Sequence, residues 1–353
     1  MQTFAKGSTP AAARTQGGLS LVELMISMTI GLVLLMGFTA LLVRQSDSRD
    51  ELEKSSRQIE NGRYAMQLLH DDIEHAGFYG DYAPDASVIL TLPADPCSVA
   101  FGAANSGWDN NPMSVPLPLY GFLGGPVNPL PAGNTCGLAN YQPGTAVLVV
   151  RRVTTDQLTT ASPAFTATAT YLQVSGCNSD NNVFFVYGTG AAGNFALRQN
   201  NCVALSALRP YEVNVYYIAS CDICGTDNIP TLKLVQIGPT GVPTTIPLVE
   251  GIENMQFDYG LDTSGDGAPD TFVAALAPTD ITNWQNVMAV RVSLLARNID
   301  PTTGYADTKT YDLGSAGTVA CGVGVNPQPC NYKRHLYKEE IRLVNPSGRR
   351  ELP

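Results

Sequence analysis

A single ionisable residue, Glu23, interrupts the most apolar stretch of the chain, residues 19–43, and Gly17 and Gly18 stand directly before it. A carboxylate in hydrocarbon costs on the order of 3 kcal/mol, so it normally serves a function. Cleavage after Gly18 would make Leu19 a new N-terminus, whose amine lies about 6 Å along a helix from Glu23. We therefore expect processing at Gly18 and Leu19. We also expect Glu23 to pair with the N-terminus of a neighbouring subunit, which would set the axial register.

A second chemical pattern, in residues 262–270, resembles a calcium-binding loop. The position-12 glutamate is replaced by Val273, which leaves Asp258 as the nearest substitute, and the flanks look like strands. The alternative is a plain hairpin turn, which Asp and Gly form without metal. We predict a weak Ca²⁺ site whose ligands match positions 1, 3, 5, 7 and 9 of the pattern: Asp262, Ser264, Asp266, the carbonyl of Ala268, and Asp270, with Gly267 as the turn glycine.

All eight cysteines follow the apolar stretch, which indicates disulfides in an oxidising compartment. Eight cysteines allow 105 pairings, so the sequence leaves the connectivity open. A redox CxxC at Cys221 lacks a surrounding βαβ pattern, and zinc lacks a second CxxC. We predict sequential pairs, each bracing a loop: Cys97–Cys136, Cys177–Cys202, Cys221–Cys224 and Cys321–Cys330.

Other candidate sites are weaker. His70 with Glu74, and Asp71 with His75, have the i,i+4 spacing of a metal chelate, but a solvated acidic helix face is the better interpretation because no third ligand is apparent. The three histidines and the lack of GxSxG, P-loop or HExxH motifs argue against an enzyme. The C-terminus is locally basic, which is compatible with a DNA-binding patch but is more often found in a solvated edge strand. The net charge of −10 for the whole chain disfavours binding to nucleic acid. The basic residues are Lys333, Arg334, His335, Lys338, Arg342, Arg349 and Arg350.

A long helix must position the N-terminal residues. Residues 19–43 extend about 37 Å as a helix, enough to cross a bilayer. Helical periodicity continues to residue 76, with Gly77 as the stop, so we predict one helix over residues 19–76. Lys6 and Arg14 make the preceding segment basic, which predicts that it stays inside and the remainder lies outside. The apolar stripe of the second half should pack on a sheet or on neighbouring subunits: Leu52, Ile59, Met66, Leu69 and Ile73.

The rest of the chain predicts an α+β fold, a long N-terminal helix on a mainly antiparallel β-sheet head braced by disulfides. Residues 79–140 are rich in Pro, Gly and Asn and predict a long loop region around short strands. Strand patterns cover residues 145–153, 182–187, 211–219, 231–237, 254–259, 286–297 and 337–344. The predicted parts are a leader (1–18), a membrane-spanning helix (19–43), its amphipathic continuation (44–78) and the head (79–353).

Four segments resemble type IV minor pilins of the PilW type. Gly18 followed by Leu-Ser-Leu-Val-Glu resembles the class III leader junction of prepilins. The other three are residues 62–78, with an acidic dipeptide before Ala-Gly-Phe; residues 251–260, running into the acidic loop; and the strand pattern 287–298. No such likeness is visible in residues 85–210.

The resemblance implies that a prepilin peptidase cuts after Gly18 and methylates Leu19. It also implies a minor pilin that primes pilus assembly at or near the tip, with other minor pilins, a tip adhesin and the major pilin as partners. The protein would first be held in the inner membrane with its head in the periplasm, and then in the fibre at the cell surface. A type II secretion pseudopilin is the nearest alternative, and a membrane-anchored periplasmic enzyme a more distant one.

Overall fold

The computed structural model describes residues 18, 20–84, 88–102, 104–110, 112–180, 183–191, 195–277 and 280–350. The predicted leader, except Gly18, and Leu19 lie outside the described residues. The chain divides into two compact units, Met1–Glu53 and Lys54–Pro353. We call the second unit the head. The division falls within the long helix and not at its end, so the head includes the last part of that helix.

Helix α1 runs unbroken over Leu21–Glu74, as the periodicity predicts. Among the helices of the described residues, α1 is the one that is long and apolar enough to cross a membrane. The chain leaves it through Gly77, whose φ of 72° favours glycine. A Cβ at Gly77 would also lie 2.8 Å from the Cβ of Pro118, so the Ala-Gly-Phe turn needs glycine for both conformation and space.

The strands of the head are β1 Ile89–Thr91, β2 Asp109–Asn110, β3 Met113–Pro116, β4 Leu119–Phe122, β5 Val147–Val153, β6 Thr170–Val174, β7 Phe185–Thr189, β8 Leu208–Ala219, β9 Thr231–Ile237, β10 Pro243–Glu250, β11 Ile252–Leu261, β12 Thr271–Val273, β13 Val287–Arg297, β14 Thr310–Asp312, β15 Thr318–Ala320 and β16 Arg334–Arg342. Among the described residues they form four sheets, with the orders β1-β3-β2, β10-β9-β8-β5-β4 with β6 and β7 attached through β8, β12-β11-β13-β16, and β14-β15. Every strand pairing described except that of β1 with β3 is antiparallel. The fold class is therefore the predicted one. Two short helices, α2 Ile281–Trp284 and α3 Val344–Arg350, accompany the strands.

The strand predictions are confirmed in the core and incomplete at the periphery. Strands β5, β9 and β13 fall within the predicted ranges. Strand β11 extends two residues beyond its prediction at each end, and β8 and β16 each begin three residues before theirs. No strand pattern indicated β6, β10, β12, β14 or β15. Strand β10 contains Pro243 and Pro247 and lies at a sheet edge, where proline is tolerated because the outer N–H needs no partner.

All four predicted disulfides are present in the structure. Cys97–Cys136 lies in the insertion between α1 and β5, beside a fully buried arginine. Arg151 donates to the carbonyls of Pro96 (2.6 Å) and Ser106 (3.0 Å) and to the hydroxyl of Tyr120 (3.2 Å). The insertion thus supplies oxygen acceptors to a guanidinium in the core, which orders a segment of little regular structure.

The end of α1 is tied to the second sheet by one buried carboxylate. Asp72 is 7% exposed; it accepts from Arg152 Nε (2.7 Å), Asn214 Nδ2 (2.8 Å) and the Tyr216 hydroxyl (2.9 Å). These partners share one face of β5 and β8, since Asn214 and Tyr216 are two residues apart on their strand. Burial, and then the charge of Asp72, raises the pKa of Tyr216 well above its ordinary value, so this hydroxyl stays protonated and donates. The acidic helix face was predicted to be solvated; this is wrong for Asp72.

The remaining helix contacts within the head are close and polar. Gln58 is buried and donates to the carbonyls of Ala296 and Lys333, both at 2.9 Å. A Cβ at Gly62 would collide with the ring of Tyr337. The predicted stripe is buried only in part, because Met66, Leu69 and Ile73 lie in the core while Leu52 and Ile59 are 69% and 46% exposed.

We expect Asp72→Ala to destabilise the head by about 2–4 kcal/mol, because it leaves the partly buried Arg152 with Glu212 alone and removes the acceptor of the buried Asn214 and Tyr216. The check is a thermal melt of the full-length protein in detergent, followed by fluorescence of Trp108 and Trp284, which are both in the head. Asp71→Ala is the matched control, since Asp71 is exposed. Equal melting temperatures for the two variants would contradict this role of Asp72.

Candidate functional site

The N-terminus of α1 is closed by side chains from its own first turn. Ser20 precedes the helix, and its Oγ accepts the N–H of Val22 at 3.2 Å. Glu23 reaches back, and its Oε2 accepts the N–H of Ser20 at 3.0 Å. This reciprocal arrangement is a capping box, whose S-x-x-E signature is visible in the sequence and was missed. Gly18 is exposed, and Leu19 lies outside the described residues.

The other hydroxyls of the apolar segment are satisfied by the helix itself. Ser27 Oγ donates to the carbonyl of Glu23 (2.6 Å), Thr29 Oγ1 to that of Ile26 (2.9 Å), and Thr39 Oγ1 to that of Leu35 (2.9 Å). Backbone groups within a helix are paired as well. The carboxylate of Glu23 differs, because it can accept about four hydrogen bonds and accepts one here. Within this segment, the Glu23 carboxylate is the charged group that can still accept hydrogen bonds from a further donor.

The acidic loop joins β11 to β12, and its carboxylates accept hydrogen bonds from the protein. Asp262 is 1% exposed and accepts from the N–H groups of Gly265 (2.5 Å) and Gly267 (2.9 Å). Asp270 Oδ2 accepts from the N–H groups of Thr263 (2.7 Å) and Ser264 (2.8 Å). The third carboxylate, that of Asp266, accepts the N–H of Ala268 at 2.9 Å. These are the hydrogen bonds of an Asp-rich turn.

A cation from the C-terminal helix already neutralises this loop. Arg350 Nη1 lies 2.9 Å from Asp262 Oδ2, and its other nitrogen donates to the carbonyl of Gln285 (3.2 Å) and to Asn286 Oδ1 (2.5 Å). Burial raises the pKa of Asp262, but hydrogen bonds from Arg350, Gly267 and Gly265 outweigh it and lower the pKa to about 2. Arg350 is 88 residues from Asp262, so the local loop pattern carried no signal of this pair.

The calcium prediction fits this geometry less well than the turn alternative does. Asp258, the expected substitute for the missing glutamate, accepts the N–H of Ser315 at 3.1 Å instead. Among the described residues, one group brings three potential metal ligands together: Asp95, Cys97 and Cys136. It is not in the acidic loop, and its two cysteines form a disulfide.

The remaining candidates occupy ordinary structural positions. His70 Nδ1 lies 2.9 Å from Glu339 and its Nε2 lies 3.7 Å from Glu74, whereas His75 Nδ1 bonds the carbonyl of Asp71 and not its carboxylate. Strand β16 is an edge strand, as the basic C-terminal pattern predicts. Arg334 is not solvated, however, because it pairs at 3.0 Å with both Glu253 and Asp307 and is buried with them.

Two regions of the chain match family models. Residues 215–345 match the Type IV Pilus-assembly protein W family, and residues 13–39 match the prokaryotic N-terminal methylation motif. These matches confirm the resemblance to PilW-type pilins. A solved type IV-like pilin from Thermus thermophilus is similar over 58% of this chain and 81% of its own, at 12% identity and a TM-score of 0.28. No curated protein matches the chain.

We predict that Arg350, and not calcium, holds the acidic loop. Ionised Asp262 stabilises the fold above pH 3.8, its ordinary pKa, and this contribution is lost as the pH falls through about 2. Arg350→Gln removes the cation, so the pKa of Asp262 rises and the midpoint of acid unfolding moves to higher pH. Tryptophan fluorescence of the full-length protein during acid titration measures that midpoint.

The calcium arm of the same experiment compares thermal melts in millimolar calcium and in chelator. We expect equal melting temperatures for the wild type. A calcium-dependent increase that disappears in Asp266→Ala would support the metal site and contradict the turn.

Proposed function

We propose that this type IV pilin-like protein is a minor pilin that helps to prime pilus assembly and lies at or near the pilus tip. The observation that carries the proposal is the position of Glu23. It is an under-used carboxylate in the first turn of an exposed apolar helix, five residues after Gly18. A helix of this kind is suited to packing in a bundle with other helices, where a carboxylate needs a cationic partner.

The chemistry of processing would supply that cation. A peptidase that cuts after Gly18 converts the amide of Leu19 into an amine, which stays positive after methylation. At the start of its own helix this amine opposes the positive end of the helix dipole. A carboxylate of an adjacent subunit would neutralise it. Glu23 is thus proposed to exchange its intramolecular cap for an intersubunit ion pair, which forms only in the correct axial register.

The head supports a tip position over a repeated position in the fibre. It spans some 300 residues and carries four disulfide-braced loop regions. Many copies of so large a head would crowd a thin fibre, whereas a single copy at or near the end does not stack on copies of itself. The buried contacts of Asp72 and Gln58 fix the last turns of α1 to this head. A force on the helix would therefore reach the head through buried polar contacts.

The proposed partners follow from these steps. They are a prepilin peptidase in the inner membrane, other minor pilins that pack against α1, the major pilin below, and a tip adhesin above. The proposed locations are the inner membrane, with the head in the periplasm, and then the fibre at the cell surface.

The first prediction concerns processing. Co-expression with a prepilin peptidase should remove residues 1–18 and leave N-methylated Leu19, as measured by intact mass with and without the peptidase. Gly18→Val should block the cut, because a branched side chain does not fit a site shaped around glycine. The variant should not disturb this chain, since a Cβ at Gly18 meets nothing within 4 Å.

Gly17→Val is the matched control and should be cut normally. Mature protein in piliated cells that retained residues 1–18 would contradict the proposed function.

The second prediction separates the two roles of Glu23. Glu23→Ala should still insert into the membrane, because the span becomes more apolar. It should reduce recovery of the protein with sheared pili and with the other minor pilins, measured by quantitative mass spectrometry.

Glu23→Gln distinguishes the cap from the ion pair. Glutamine keeps the hydrogen bond to the N–H of Ser20, since it also serves in a capping box, but it carries no charge. We expect Glu23→Gln to fail as Glu23→Ala does, and Ser20→Ala to assemble normally. Normal assembly of Glu23→Gln would reduce Glu23 to a helix cap.

A further inference from the structure

A cavity of about 430 Å³ lies in the head where α1 ends. Its walls come from the segment after α1, from β1, β3 and the start of β4, and from α2, β13 and α3. They are mainly apolar and include Tyr79, Leu90, Pro118, Trp284 and Met288. Prolines fix the backbone of three wall segments, which makes such a cavity largely preformed. The volume falls within the usual range for ligand pockets, roughly 300–1,000 Å³.

One charged side chain in this wall lacks an anionic partner. Arg349 lies beside Gly77 at the end of the helix, and within the described residues no carboxylate pairs with it. The titratable groups that act on Arg349 are the phenols of Tyr79 and Tyr82. Burial lowers the pKa of Arg349. Burial raises the pKa of Tyr79 far above its ordinary value, so this phenol stays neutral.

The next residue provides an internal comparison. Arg350 lines the same cavity but is neutralised by Asp262 and bonded to Gln285 and Asn286. The fold thus supplies a carboxylate to one arginine of the pair and leaves the other facing an apolar pocket. Arg349 is partly exposed, and the covered part of its guanidinium loses hydration that an anion would replace. Its planar fork suits a carboxylate.

We propose that this pocket binds an aspartate or glutamate side chain, flanked by apolar residues, in an extended segment of a neighbouring pilin subunit. The carboxylate would pair with Arg349 while the flanking side chains pack on Trp284 and Pro118. The proposal rests on the proposed function, because it takes the partner from the same assembly. The charge of Arg349 selects an acidic segment, and the apolar walls select its neighbours.

The first test is photo-crosslinking in piliated cells. Gln285 is exposed and lines the pocket, so p-benzoylphenylalanine at this position should cross-link an acidic segment of another pilin. Thr282 lies on α2, the short helix that ends just before Gln285; it is exposed but is not part of the pocket wall, and the same probe there should not capture that segment. Assembly without such a cross-link overturns the pocket proposal alone, whereas absence of the protein from pili overturns the proposed function.

The second test uses the captured segment as a synthetic peptide, with both ends blocked so that only a side-chain carboxylate remains. Binding to the full-length protein in detergent should weaken about 10- to 100-fold in Arg349→Met, and much less in Arg349→Lys. Replacing the acidic residue of the peptide by its amide should cause a similar loss in the wild type and little loss in Arg349→Met.

Thermal melting distinguishes a binding role from a structural one. If Arg349 awaits a partner's carboxylate, Arg349→Met removes an uncompensated charge and leaves the melting temperature of the isolated protein unchanged or higher. If Arg349 is paired within its own chain, the same variant melts at a lower temperature. A lower melting temperature, or unchanged peptide affinity, would overturn the proposal.

Discussion

The buried carboxylate of Asp72 is the contact on which the arrangement of the head depends. It lies in the last turn of α1, and it takes donors from two adjacent strands of the second sheet, β5 and β8. A buried charge tolerates little displacement, because any shift leaves it without donors. The contacts of Asp72 therefore hold the helix in one register on the sheet. Apolar packing of Leu69 and Ile73 alone would define that register less sharply.

Two neighbouring arginines on β5 extend this constraint to the opposite side of the sheet. Successive residues of a strand point to opposite faces, so Arg152 meets Asp72 under the helix while Arg151 meets carbonyls of the insertion. The same strand thereby ties a regular element to an irregular one. In the third sheet, Arg334 with Glu253 and Asp307 similarly attaches the segment before β16. Buried guanidinium groups and disulfides fix long loops whose backbone groups are not paired in the hydrogen-bond ladders of a sheet.

The features that the sequence predicted are those specified by local spacing. The helix, the alternating strands β8 and β13, and disulfides between successive cysteines all arise from nearby residues, and all are confirmed. The features that it missed depend on partners far along the chain. Asp72 has the sequence context of a solvated helix residue, and only Asn214 and Tyr216, more than 140 positions later, bury it. The acidic loop matched a metal motif, and its actual cation, Arg350, carried no local signal because it lies 88 positions away.

The pair Arg349 and Arg350 shows why sequence alone does not separate a structural charge from a binding one. Both residues lie in the last turn of α3, and their intrinsic chemistry is the same. The difference comes from what each guanidinium meets, because Asp262 of the acidic loop pairs with Arg350 whereas Arg349 faces the pocket. A similar contrast holds in the apolar segment of α1, where the hydroxyls bond their own helix and Glu23 keeps unused capacity. In both places the informative group is the charge that the described residues do not fully satisfy, because assembly with another subunit is the step proposed to complete it.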